Sequence, residues 1–125
     1  MYTVTVTRDL ITRHWLTVPD PGPEGDLHAH HLTVEVQVEG EQLGEYGYLV
    51  DIDDLEAVVD ELADRYRGAT LNELPEFEGL NPSVEHFSRF FAERVVDGIE
   101  TDRLDAIEVT TWEEDTAAAS YAATV

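Results

Sequence analysis

Cysteine is absent from the 125 residues. Disulfides, thiolate nucleophiles and cysteine-ligated metal sites are therefore excluded, and any metal must sit on His, Asp or Glu. Lysine is absent as well: all seven cationic residues are arginine, set against 28 Asp and Glu, for a formal charge of −21. Such a surface repels nucleic-acid phosphates and anionic membranes, which argues against both as partners. Self-repulsion at this charge density weakens when the Debye length falls to about 3 Å near 1 M salt, so a high-salt cytoplasm of a halophile is the expected setting. No apolar run approaches the roughly 20 residues of a membrane span, and no basic segment followed by an apolar one opens the chain. No targeting signal is expected.

What the chain does have is enough to fold. Its 42% apolar content with two Trp, five Tyr and four Phe argues against a disordered tail, and its length suits one domain spanning residues 1–125. Tyr2, Val4 and Val6 alternate with Thr3, Thr5 and Thr7, the period of a half-buried strand. His14, Leu16 and Val18 share the inward parity, in a long strand with a bulge expected near Asp9 to Thr12. Pro19 to Gly25 is Pro/Gly-rich and reads as a loop. From Leu27 the alternation resumes, with Leu32, Val34, Val36 and Val38 on one face.

A helix opened by Asp53, with Glu56 three residues on, carries Leu55, Val58, Val59, Leu62 and Tyr66 on one face and ends near Gly68. A second begins at Asn81-Pro82, with Asn as cap and Pro at the first helical position, and runs through Val84, Phe87, Phe91 and Val95 to Gly98. Residues 107–112 alternate again and pair with Ala117 to Val125 as a hairpin. The order ββααββ implies an α+β fold, a four-stranded antiparallel sheet with both helices on one face. Such a narrow sheet has two exposed edges, and pairing between subunits would cover them.

Four of the five histidines flank the first loop. In His28-Ala29-His30 the strand period puts both imidazoles on one face, about 6.5 to 7 Å apart, close enough to share one ion. A lone His-x-His is weak evidence, since ordinary hydrogen-bonded histidines look the same. His14, on the inner parity of the preceding strand, is the natural third ligand. Three neutral imidazoles with an open fourth position are what catalytic Zn²⁺ uses. His31 has the opposite parity and is expected to face outward or a subunit contact. Glu113 continues the parity of Ile107, Val109 and Thr111. It either ends on the inner face, where a ligand with two N–H donors would suit it, or turns to solvent beside Glu114 and Asp115. Glu85 suits the start of the second helix without any chemistry, and His86 is structural unless that helix start lines the pocket.

Together these residues resemble the 6-pyruvoyl-tetrahydropterin synthase family, including the queuosine-pathway 6-carboxy-tetrahydropterin synthases, over nearly the whole chain. Leu27-His28-Ala29-His30 resembles the family's Leu-His-Gly-His zinc motif, with His14 at its upstream zinc histidine. Residues 48–55, Leu71-Asn72-Glu73, Asn81-Pro82-Ser83-Val84-Glu85 and Trp112-Glu113 followed by Tyr121 resemble its remaining signatures. The resemblance implies the tunnelling fold, with protomers joined edge to edge into trimers or hexamers and sites between subunits. It also implies zinc on His14, His28 and His30, Glu113 on the pterin ring, and a lyase reaction on the side chain of 7,8-dihydroneopterin triphosphate. Two departures matter. The family's catalytic Cys corresponds to Glu24, and its Asp-His pair falls on Arg67-Gly68. A carboxylate can replace a thiolate as base, and a folate-pathway branch carries Glu there, so Glu24 is the candidate base. His86 or His31 is the candidate acid. A non-catalytic homologue that binds a pterin or purine is the alternative. Phosphate binding would fall to Arg13, Arg65, Arg67 or Arg89.

Overall fold

Two strands of 13 residues, β1 (Tyr2–His14) and β2 (His28–Gly40), form the long half of the sheet. A computed structural model describes every residue from Met1 to Val125. Two helices follow, α1 (Ile52–Tyr66) and α2 (Val84–Gly98), then the hairpin β3 (Ala106–Glu113) and β4 (Ala117–Thr124). All neighbours are antiparallel in the order β1-β2-β3-β4, leaving β1 and β4 as edges. α1 packs over β1 and α2 over β3 and β4, so one face is covered. No helix is long and apolar enough to cross a membrane.

The core follows from parity. Val6, Leu10, Leu32, Val34, Val36, Val38, Ile107 and Val109 point from the sheet into a layer filled by Leu55, Val59, Leu62, Phe87, Phe91 and Val95. Each such side chain contributes about 1.5–3 kcal/mol of burial free energy. Tyr66 meets Phe87 edge to face at 5.0 Å in the seam between the helices. Ser88 donates its hydroxyl to Thr111 at 2.8 Å, which satisfies the polar pair buried among these apolar groups.

Four local expectations need correcting. β1 has no bulge: its register runs unbroken from Tyr2 opposite Gly40 to His14 opposite His28. Ile11, an apolar residue inside the Asp9 to Thr12 segment, stays on the outward parity and is 55% exposed. The strand also stops at His14, leaving Leu16 half-buried and Val18 exposed. α1 is capped by Asp51, which accepts from the Asp53 N–H, rather than by Asp53. α2 is capped by Ser83, whose hydroxyl accepts from the His86 N–H, because Asn81 is engaged elsewhere and accepts from the Thr17 N–H at 2.9 Å.

The link between the helices is pinned at both ends. Gly68 has φ +71°, a left-handed turn that side chains resist, and its N–H donates to the Ile11 carbonyl at 2.7 Å. The Arg13 N–H then donates to the Ala69 carbonyl at 2.9 Å, so residues 68–70 cover the C-terminal end of the β1 edge. Further on, the Glu76 carboxylate, 6% exposed, meets Arg65 at 2.7 Å, Arg94 at 3.3 Å and the Tyr66 hydroxyl at 2.7 Å. Burial alone would raise its pKa, but the Arg65 and Tyr66 hydrogen bonds and the Arg94 charge outweigh this and hold it at about 2, below the ordinary 4.5.

A carboxylate whose pKa is lowered on folding stabilises fully above its unfolded pKa and loses that contribution as pH falls through the folded one. The Glu76 network should therefore contribute on the order of 2–3 kcal/mol at neutral pH. Glu76→Gln should lower the urea midpoint at pH 7, and its gap from the wild type should close between pH 4.5 and 2. A gap independent of pH would remove the ionic basis of this argument.

Candidate metal and ligand site

The β1–β2 register puts His14 directly opposite His28, and His30 follows two residues along on the same face. The three rings converge edge to face, with centroids 4.6 to 5.1 Å apart. One ligand atom from each lies within 4.8 Å of the others. His14 donates Nδ1–H to the Pro82 carbonyl at 3.0 Å, and His28 donates Nδ1–H to the Asp26 carbonyl at 2.8 Å. A carbonyl can only accept, so each ring is fixed as the tautomer with its lone pair on Nε2.

Both Nε2 atoms are buried and have no hydrogen-bond partner. A buried acceptor left unsatisfied costs about 1–3 kcal/mol. Two of them aimed at a shared point, each backed by an oriented N–H on the other side of the ring, is the outer-shell arrangement of metal-ligating histidine. His14 is 8% exposed. Burial pushes its pKa below 6.5, only partly opposed by the Pro82 carbonyl, which favours the neutral form a ligand needs. The donor set fits a single divalent ion of the zinc type with room for exogenous ligands.

Glu113 stands at the rim, opposite Leu32 in the β2–β3 register. Its carboxylate is 3.6 Å from His30 Nδ1 and half-buried, neither sunk in the core nor turned away to solvent. It lines two hollows. One, bounded by His14, His30, Pro82 and Phe87, encloses only about 10 Å³. The other, about 280 Å³, lies between Val84 and Glu85 at the start of α2 and the β3–β4 turn. Larger hollows of about 290 and 620 Å³ flank Arg103 beside Asp51, at the end of the sheet away from the histidines. They hold no histidine and no unpartnered buried polar atom, whereas the small hollow is lined by His14 and His30 and shares Glu113 with the groove beside it.

The remaining candidates are scattered. Glu24 sits exposed on a 3₁₀ turn, Gly22–Gly25, anchored by the Leu16 N–H to its carbonyl at 2.8 Å. That turn belongs to the loop joining His14 to His28, but the Glu24 side chain lines neither hollow. His86 lies along Phe90 and donates Nδ1–H to the Asn81 carbonyl at 2.8 Å, outside the lining of both. His31 faces outward, 3.2 Å from Asp9. Sequence reasoning missed the carbonyls of Asp26 and Pro82, which carry no residue-type signal, and the approach of Glu114 to His30 at 3.8 Å.

The arginines sort cleanly. Arg8, Arg65, Arg67, Arg89 and Arg94 each pair with a carboxylate. The Arg13 guanidinium donates only to the Gly68 carbonyl, and Arg103 lies at the far end of the sheet.

This is an α+β domain of the tunnelling fold with a three-histidine centre at one end of its sheet. Residues 3–124 match the family model for 6-pyruvoyl tetrahydropterin synthase, and the chain belongs to that family. No curated protein matches it by sequence. Among solved structures it is similar to Caenorhabditis elegans 6-pyruvoyl tetrahydropterin synthase, with a TM-score of 0.81 and 19% identity over 99% of this chain and 98% of that one. The Plasmodium vivax 6-pyruvoyltetrahydropterin synthase superposes with a TM-score of 0.79 and 13% identity, covering 100% of both chains. The Plasmodium falciparum protein gives 0.77 and 15%, over 98% and 99%. At these identities the likeness is one of fold.

Proposed function

We propose that this chain is a zinc-dependent lyase acting on the side chain of a reduced pterin triphosphate, 7,8-dihydroneopterin triphosphate or a close relative, in a high-salt cytoplasm. The observation that carries the reading is the pair of buried, unpartnered Nε2 atoms of His14 and His28 facing His30 within a family-wide match. Zinc held by the three rings would supply Lewis acidity to the oxygens of the substrate side chain. Glu113 would accept the N–H groups of the amino-pyrimidine edge in the hollow of about 280 Å³, near the lower end for small-ligand sites. The side chain would then run toward the histidines.

Glu24 is proposed as the base that removes a proton from a side-chain carbon, and His86 as the donor that returns one. Both need the loop, or a neighbouring subunit, to bring them to the substrate. Support for the base comes from the Plasmodium vivax protein, solved also as catalytic-residue mutants in which a glutamate is replaced by alanine or cysteine. The exposed position of Glu24 favours the second reading, a pterin- or purine-binding homologue without turnover. Protein purified in high salt should carry one zinc per chain and convert dihydroneopterin triphosphate. Glu24→Gln should keep the zinc and lose at least about 100-fold in kcat, within the usual range for a general base. Zinc-loaded wild type that binds the pterin and leaves it unchanged by chromatography would establish the second reading.

Arg13 is proposed as the phosphate contact, because its guanidinium pairs with no carboxylate and it adjoins His14 in β1; its exposed side chain leaves the strand on the face opposite the rings, so the phosphates would reach it around the sheet edge. Arg13→Gln should raise KM for the triphosphate about tenfold, as expected for one lost charge-assisted contact, with kcat and zinc content little changed. Arg67→Gln, whose charge Asp64 already offsets, should leave KM unaltered.

Self-association through the sheet edges is proposed as well. β4 is an edge of eight residues, Ala117–Thr124, without a charge, proline or covering segment. Such an edge is a ready template for another strand. Light scattering in high salt should give a trimer or hexamer of the 14.0 kDa chain. Ala122→Lys should shift the mass toward the protomer, and a monomeric wild type would end the proposal.

A further inference from the structure

Two of the three clustered histidines have their Nδ1–H fixed by the backbone, His14 by Pro82 and His28 by Asp26. The third, His30, has no carbonyl on its ring. Its Nδ1 faces two carboxylates from the end of the β3–β4 hairpin, Glu113 at 3.6 Å and Glu114 at 3.8 Å. A ligating imidazole nearly always has an acceptor on its far nitrogen to hold ring and tautomer, and a carboxylate there also raises its basicity. These two carboxylates are the acceptors nearest that nitrogen, each a few tenths of an ångström beyond hydrogen-bond distance.

Glu114 is the one held for it. It adopts φ +54°, the left-handed region that non-glycine residues other than Asn and Asp seldom occupy. Its N–H donates to the His31 carbonyl at 3.0 Å, and its Oε1 accepts from the His31 N–H at 3.4 Å. That Oε1 is the atom facing His30. The carboxylate is thus tethered to the backbone of the residue that follows the ligand. Glu113 instead lines both hollows at the rim, where a substrate would take up its oxygens.

We infer that Glu114 is the positioning residue for His30, the outer-shell acceptor of its Nδ1–H, and that this leaves Glu113 free to bind ligand. The inference rests on the metal-binding reading of His14, His28 and His30. It divides two adjacent acidic residues between the ion and the substrate. It also accounts for a glutamate at a turn position whose backbone favours glycine.

Metal affinity tests it without reference to turnover. Zn²⁺ affinity is measured by competition with a chelator, and the visible absorption of the Co²⁺-substituted protein reports the ligand field. Glu114→Gly suits the positive φ, so the turn is kept while the carboxylate is lost. It should weaken Zn²⁺ binding about 10- to 100-fold, shift the Co²⁺ bands, and leave the unfolding midpoint of the metal-free protein unchanged. Glu114→Gln, which retains an acceptor oxygen, should recover most of the affinity, and Glu113→Gln should stay within about threefold of the wild type. Unchanged affinity and spectrum in Glu114→Gly, or a loss confined to Glu113→Gln, would overturn the assignment while leaving the histidine site intact. A wild-type chain that takes up no stoichiometric metal would overturn both.

Discussion

Two backbone carbonyls, those of Asp26 and Pro82, decide what the histidine cluster can be. By taking the Nδ1 protons of His28 and His14 they turn two buried Nε2 lone pairs toward one another with nothing to accept from. Without them the rings could flip or share protons among themselves, while burial is what keeps His14 toward the neutral form. Each carbonyl comes from a different part of the chain. Asp26 lies in the loop before β2, and Pro82 in the turn before α2, so the cluster depends on both connections as well as on the β1–β2 register. The interhelical segment serves the same end: Gly68 and Ala69 are bonded to the last residues of β1, and Asn72 brackets Trp15 through both its N–H and its carbonyl. The irregular parts of this small domain hold the end of β1 where the ligand set needs it.

Much of this was legible from residue types alone. The strand period gave the inward face of β1 and β2, and with it the convergence of His14, His28 and His30, because a one-residue slip would have exposed every valine of β2. The helices were legible through their apolar stripes, yet their caps were not. Asp51 and Ser83 compete with equally suitable neighbours, and the choice between Asn81 and Ser83 turns on Thr17, distant in sequence and adjacent in space. The bulge expected near Asp9 to Thr12 is absent, and Ile11 in that segment is an outward apolar residue on an edge strand. Side chains on irregular segments were the least legible. Glu24 could be aligned to a catalytic position, but nothing in its neighbours told where a Pro/Gly-rich loop would carry it. The approach of Glu114 to His30 was invisible because it depends on a positive backbone angle and a tether to His31 that carry no residue-type signal.

The charge imbalance constrains the chemistry as strongly as the histidine cluster does. A chain of charge −21 is a poor host for a triphosphate unless local cations or screening intervene. Five of the seven arginines are already committed to carboxylates, and the Arg65–Glu76–Arg94 group spends two of them on folding rather than on ligand. What remains at that end of the sheet is Arg13, on the outer face of β1, and whatever ion the rings would hold. High salt weakens the general repulsion over distances beyond a few ångströms. It weakens a direct guanidinium–phosphate contact much less once water is excluded, so one well-placed arginine can serve where a diffuse basic patch could not.

The hollow beside the histidines, about 10 Å³, admits an ion or a water and little else. Any organic substrate must therefore enter from the adjoining groove between the start of α2 and the β3–β4 turn, whose wall Glu113 shares. That groove is walled on one side by β4, the uncharged edge strand. A second protomer pairing along β4 would extend the wall and deepen the groove, so the same contact that covers an exposed edge would also complete the ligand site. The small core of a 125-residue protomer can remain committed to the sheet and helices, leaving the ligand-facing residues at the ends of strands where neither function strains the other.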